Sequence, residues 1–289
     1  MRSLLFVPGD SPRKLDKGMA SGADALLLDL EDAVAPDNKP KAREVVREYL
    51  AAHIGKPERP RLFVRVNALD TGMTDDDLDV VMPARPDGIL FPKSQHGGDV
   101  IHLDAKITAR EALYDIHEGA TRILVIATES AQAMFGLQNY RGASKRLDGM
   151  TWGAEDLSAD LGAETNRNER GDYTDPYRLA RAQCLIAAVA AEVAPIDSIY
   201  PNFRDAEGLK REALEGRRDG FIGKMAIHPD QVPVINEIYT PNADSIAKAE
   251  RLIDAFKAAG NAGVISLDGQ MYDQPHLKRA QRLLARVKK

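Results

Sequence analysis

Chemistry is most legible in two acids, Glu129 and Asp156. Each follows a short apolar run. Residues 122–127 close on Thr128-Glu129-Ser130, and Met150-Thr151-Trp152-Gly153 closes on Ala154-Glu155-Asp156. Buried runs that end in carboxylates are costly unless something positive meets the charge. If the two runs are adjacent strands, about 4.8 Å apart, acids from both ends reach one small cation. Oxygen ligands without cysteine or histidine suit Mg2+, which binds a few carboxylates and completes its shell with waters and substrate oxygens. Counting by twos at a strand end leaves both Glu155 and Asp156 open, and parity with Met150 and Trp152 favours Asp156. Asp29, Glu31 and Asp32 close another apolar run and are expected to hold the waters around such an ion. Zinc is not expected, because the six histidines are scattered and no His-Glu-x-x-His spacing occurs.

Cationic residues come next. Arg65 ends the run Leu62-Phe63-Val64, where an unpaired guanidinium would be costly. Its fork suits a planar carboxylate, either a rim acid such as Glu31 or the substrate's own. Arg13, Lys14 and Lys17 follow Asp10-Ser11-Pro12, and Lys39, Lys41 and Arg43 follow Asp37. Helix starts of this kind normally carry acids, because the helix dipole is positive there. Two of them loaded with bases point to a bound anion such as phosphate, against the plainer reading of solvated lysines. Lys93, in Pro92-Lys93-Ser94, joins this anion-binding set. No phosphate loop, dinucleotide glycine fingerprint or Gly-x-Ser-x-Gly elbow is present. Cys184, the single cysteine, falls in a helical pattern and reads as core.

These residues need elements to position them. Apolar runs recur at 3–8, 25–30, 61–66, 88–92, 122–127, 149–153, 195–200 and 220–227, with amphipathic stretches between. Continuous apolar strands alternating with helices imply a parallel sheet covered on both faces. Eight units favour an α/β fold of the (β/α)8 TIM-barrel type over an open seven-stranded sheet. Barrel enzymes keep their chemistry at the C-terminal strand ends, and every run ends on polar residues, from Gly9-Asp10 to His228-Pro229. The expected division is a barrel over 1–240 and a C-terminal helical extension over 241–289. The extension carries helical patterns at 242–259 and 275–287 around an extended piece at 264–270, and reads as a packing appendage or a lid.

Bulk properties exclude other classes. The chain has 289 residues, 44% hydrophobic and 29% charged, with a formal net charge of −5. That balance argues against a nucleic-acid binder. No apolar run approaches the roughly 18 residues of a membrane span, and no signal-peptide pattern is visible, so a cytoplasmic protein is expected.

Together the motifs resemble a known family. Arg2-Ser3-Leu4-Leu5-Phe6-Val7-Pro8-Gly9, Leu28-Asp29-Leu30-Glu31-Asp32-Ala33-Val34, Arg65-Val66-Asn67, the Glu129 segment, Gly153-Ala154-Glu155-Asp156-Leu157 and Gly223-Lys224-Met225-Ala226-Ile227-His228-Pro229 are similar to the citrate lyase beta-subunit family. That family includes malyl-CoA and citramalyl-CoA lyases. The resemblance implies a Mg2+-dependent barrel that makes or breaks a carbon–carbon bond between an acyl-CoA and a 2-oxo acid. It gives Glu129 and Asp156 as metal ligands, choosing Asp156 over Glu155, and Arg65 as the substrate-binding arginine. The basic helix starts would meet the phosphates of coenzyme A. Gly269 to His276 looks like the segment that covers a neighbouring subunit's site, with Asp273 as its catalytic aspartate, and a homo-oligomer (a trimer or a multiple of it) is implied. Ser130 departs from the threonine of many members without touching the ligand. Within the same reading, a malyl-CoA-type thioesterase, a CoA-independent 4-hydroxy-2-oxo acid aldolase and a non-catalytic CoA-binding subunit are the alternatives.

Overall fold

The computed structural model describes residues 1–260 and 262–287; residues 288 and 289 of the expected extension lie outside the described residues. The chain divides into two compact units, Met1–Asn236 and Glu237–Lys289. The first begins β1 (Ser3–Pro8), α1 (Pro12–Met19), β2 (Ala25–Asp29), α2 (Lys39–His53), β3 (Arg61–Arg65), α3 (Thr74–Val81), β4 (Gly88–Phe91), α4 (Gly97–Leu113). It continues β5 (Arg122–Ile126), α5 (Ala131–Gly136), β6 (Leu147–Thr151), α6 (Ala154–Asp160), α7 (Asp175–Ala190), β7 (Ala194–Asp197), α8 (Ala206–Asp219) and β8 (Gly223–Ala226), and α9 (Gln231–Tyr239) runs across the division. The eight strands pair in parallel and in sequence order, and β8 returns to β1, closing the barrel. The (β/α)8 expectation holds, and the open seven-stranded sheet is excluded.

Side-chain alternation fills the barrel. Leu4, Ala25, Leu27, Phe63, Leu90, Leu124, Ile126, Ile196 and Met225 form one buried cluster drawn from most of the strands. Leu27 lies in register with Phe63, and two residues later Asp29 lies in register with Arg65. Period-two alternation therefore brings Asp29 and Arg65 to the same inward face, at the C-terminal rim. The helices cover the outside through apolar stripes, as with Val100, Leu103 and Ile107 on α4 and Tyr177, Ala180, Cys184 and Ala188 on α7. Cys184 is core, as its helical pattern implied.

Several strands are shorter than the apolar runs suggest. β6 ends at Thr151 and β7 at Asp197, rather than at Gly153 and Tyr200. Gly153 is the extended residue before α6, so Glu155 and Asp156 stand in the first turn of a helix. Strand parity does not apply there, because successive helical side chains diverge by about 100° rather than alternating.

A buried polar cluster stitches the far side of the barrel. Asp197 accepts hydrogen bonds from Trp152 Nε1 at 2.8 Å and from Arg181 Nη2 at 2.9 Å. Lys224, wholly buried, lies 3.3 Å from Asp197 and 2.8 Å from Glu212. Lys224 precedes the inward-facing Met225, so alternation turns it outward to α7 and α8.

The second unit contains α10 (Ala243–Ala258), β9 (Val264–Leu267), β10 (Gln270–Asp273) and α11 (Gln274–Val287). Asn242 caps α10 by accepting a hydrogen bond from the Ser245 N–H at 2.9 Å. The single extended piece expected at 264–270 is an antiparallel hairpin. Its turn, Asp268-Gly269, has φ of 53° and 74°, the pair of left-handed residues that a tight hairpin turn requires. Ala249, Leu252, Phe256 and Ala280 form its core. Among the described residues no helix is long and apolar enough to cross a membrane.

Candidate active site

At the C-terminal rim β2 and β3 supply a tight ion pair. Arg65 donates from Nε to Asp29 Oδ1 at 2.8 Å and from Nη2 to Asp29 Oδ2 at 2.5 Å. Asp29 also accepts from the backbone N–H groups of Glu31 and Ala33. It thus holds Arg65 and the turn after β2. Arg65 Nη1 lies 2.8 Å from Glu31 Oε2, and its guanidinium stacks 4.8 Å from the Phe6 ring centre. Burial disfavours the charge on Arg65, but Asp29 and Glu31 outweigh it and raise its pKa. Burial also raises the pKa of Glu31, against the opposing charges of Arg65 and Lys93.

Lys93 lies just beyond β4, with its backbone in the left-handed region at φ 52°. Its N–H donates to Glu129 Oε2. Its Nζ lies 2.5 Å from Glu31 Oε1, 3.3 Å from Asp32 and 3.7 Å from Asp156 Oδ1. Lys93 therefore stands among acids, not among anion-binding bases. Its pKa is raised: burial lowers it, but the hydrogen bond and charge of Glu31, with Asp32 and Asp156, prevail.

Glu129 follows β5 and is 5% exposed. Its pKa is raised well above the ordinary value, first by burial and then by the charge of Asp156, with the Lys93 N–H opposing. Across from it, Gly153 leaves no room for a side chain: a Cβ there would lie 2.6 Å from Glu129 Cγ. In the first turn of α6, Glu155 turns away to accept from Asn166 Nδ2 at 2.9 Å, while Asp156 faces Lys93.

The rim thus gathers Asp29, Glu31, Asp32, Glu129 and Asp156 around Arg65 and Lys93, five carboxylates against two cations. A buried carboxylate that favours its proton beside a second acid is short of positive charge, and a divalent cation supplies it. Among the described residues no three His, Cys, Asp or Glu side chains converge on a point that would enclose a metal. Two carboxylates with open positions fit Mg2+, which keeps waters and substrate oxygens in its shell.

The basic helix starts are only partly available. Arg13 and Lys14 are exposed in the first turn of α1, where no acid stands. Lys17 lies in the last turn of this short helix, where a cation suits the dipole, so its position is unremarkable. Lys39 is buried, and its three N–H groups reach Leu30 O at 2.8 Å, Glu31 O at 2.9 Å and Asn67 Oδ1 at 2.6 Å. With every donor committed it fastens the turn after β2, which corrects its assignment to an anion. Arg43 is likewise paired with Asp77 at 2.7 Å. Asp273 belongs to the second unit, where its carboxylate lies 2.5 Å from His276 Nδ1. Asn166 carries no signature in sequence, and the parts played by Gly153 and Asn67, which stand in the quoted motifs, emerge only from the contacts.

Residues 2–229 match the model of a family described as HpcH/HpaI aldolase/citrate lyase. The chain is 35% identical over 98% of its length to a citrate lyase subunit beta of Leuconostoc mesenteroides subsp. cremoris, covering 92% of that protein. It is 35% identical over 99% of its length to a (3S)-malyl-CoA thioesterase of Cereibacter sphaeroides, covering 94% of that protein. Among solved structures, the protein CitE of Mycobacterium tuberculosis in complex with magnesium, acetoacetate and coenzyme A superposes with a TM-score of 0.79 at 32% identity. That match covers 100% of this chain and 98% of CitE.

Proposed function

The chain belongs to the HpcH/HpaI aldolase/citrate lyase family, and on that premise we propose that it is a Mg2+-dependent CoA-ester lyase that joins or splits an acyl-CoA and a 2-oxo acid. The observation that carries the reading is the buried Glu129 carboxylate, short of positive charge, beside Asp156 on a barrel rim that also presents Arg65.

In this reading Glu129 and Asp156 hold the ion. Magnesium bound there supplies a Lewis acid and a template for the oxygens of the oxo acid. Arg65, kept charged and aligned by Asp29, faces the negative charge that develops on the substrate. Glu31 and Asp32, paired with Arg65 and Lys93, would hold waters around the ion. Arg13 and Lys14 meet phosphates of coenzyme A. Asp273, acting in a homo-oligomer of trimeric or higher order, moves the proton at the thioester α-carbon. The setting is the cytoplasm, in keeping with a lone buried cysteine.

The test is a panel of acetyl-CoA and propionyl-CoA with glyoxylate, pyruvate and oxaloacetate, with and without Mg2+, read by product mass. A condensed CoA ester that forms only with Mg2+ supports the lyase. A second reading, hydrolysis of the thioester, is favoured by the 35% identity to the malyl-CoA thioesterase. Release of free CoA from malyl-CoA without acetyl-CoA would establish that reading and overturn the first.

A further inference from the structure

Lys93 touches the candidate metal site through two separate arms. The backbone arm is its N–H on Glu129, and the side-chain arm is its ammonium among Glu31, Asp32 and Asp156. The left-handed backbone at φ 52° is rare for a residue with a side chain and persists only where its surroundings hold it. Here the hydrogen bond from its N–H to Glu129 does so.

The second observation is charge. Of the two cations on the rim, Arg65 is committed to Asp29 and Glu31. Among the described residues, Lys93 provides the one ammonium or guanidinium within ion-pair distance of Asp156. Its contacts are unequal, at 2.5 Å to Glu31 and 3.7 Å to Asp156. The tight contact is an anchor, and the loose one can be given up. A lysine suits this better than an arginine, because its charge is compact and its stem flexible.

We propose that Lys93 is the positioning residue of the metal site and an internal competitor of the metal: it orders Glu129 and Asp156 beforehand, and its ammonium yields the Asp156 carboxylate when the ion enters. This rests on the reading of Glu129 and Asp156 as the metal ligands. The backbone arm does not depend on the side chain, so Glu129 stays in place when the ammonium is removed. Lys93 thus tempers Mg2+ affinity in exchange for an ordered site before metal arrives.

The experiment is calorimetric titration of the full chain with Mg2+ alone, for wild type, Lys93→Met and Lys93→Arg, together with melting curves with and without Mg2+. Removing a positive charge beside the ligand predicts Mg2+ binding tighter by roughly tenfold in Lys93→Met. It also predicts a lower melting temperature without metal and a larger upward shift on adding it. Lys93→Arg keeps the charge and stays near wild type. Mg2+ affinity unchanged or weaker in Lys93→Met overturns the proposal. Should Lys93→Met fail to give a native circular-dichroism spectrum, Lys93→Gln carries the same comparison. Glu129→Gln, titrated alongside, separates the two readings. If it binds Mg2+ like wild type, the metal assignment falls and this proposal with it. If it loses binding while Lys93→Met matches wild type, only the role of Lys93 falls.

Discussion

Asp29 and Arg65 stand opposite one another in the register of β2 and β3, and the guanidinium grips both carboxylate oxygens from inside the barrel. The pair is buried, so removing one partner strands the other. Asp29→Ala is expected to destabilise the protein by about 3 kcal/mol or more, read from urea unfolding. It should also weaken use of the oxo acid, seen as a raised KM. A variant as stable as wild type would show that Arg65 finds a substitute partner.

Glu129→Gln and Asp156→Asn should abolish measurable Mg2+ binding while leaving the barrel folded. Because burial and Asp156 disfavour the charge on Glu129, the amide removes an unfavourable group from the metal-free protein. Without metal, Glu129→Gln is therefore expected to melt at or above the wild-type temperature at pH 7. A marked drop would mean that the charged carboxylate, and not only its hydrogen bond from the Lys93 N–H, is stabilised in the metal-free protein.

Gly153→Ala places a methyl group 2.6 Å from Glu129 Cγ. Glu129 must shift or the turn before α6 must open. The expected result is a loss of Mg2+ affinity of roughly tenfold or more, comparable to disturbing a residue that supports a metal ligand, with a smaller effect on folding. Wild-type affinity in this variant would show that the Glu129 side chain moves at no cost.

Asp197 supplies a pH dependence. Burial by itself would raise its pKa, but Lys224 and Arg181 outweigh that and hold it at about 2. A carboxylate whose folded pKa is lowered contributes stability above its unfolded pKa and loses it as pH falls towards the folded value. The contribution is of the order of 2 kcal/mol at neutral pH, and it disappears between about pH 4 and pH 2. Denaturant unfolding of wild type and Asp197→Asn should therefore differ at pH 7 and converge towards pH 2. A constant difference would exclude the ion pairs as its source.

Asp273→Asn is expected to lower kcat with little change in Mg2+ affinity, since the residue is proposed to move a proton rather than to hold the ion. Unchanged turnover would return the hairpin to a packing role.

Strand count and barrel closure were legible because burial on both faces writes itself as continuous apolar runs, and Glu129 and Arg65 because they close such runs. The family motifs added the choice of Asp156. Strand parity does not apply to the same residue, since α6 begins at Ala154 and places it on a helix. The start of α2 was not legible for a related reason. Sequence shows that Lys39 and Arg43 are charged near a helix start, but not that their side chains turn inward to backbone carbonyls and to Asp77.

The one-dimensional pattern thus carried the fold, the acids and the family, because periodicity and residue type are local properties. Which cation meets which acid is a property of distance across strands. Asp29 and Arg65 are thirty-six residues apart in the chain and 2.5 Å apart in space. Lys93 reaches four carboxylates that come from three different strand ends. Closure of the barrel brings those ends together, and with them the contest between an internal ammonium and a metal ion for the same acids.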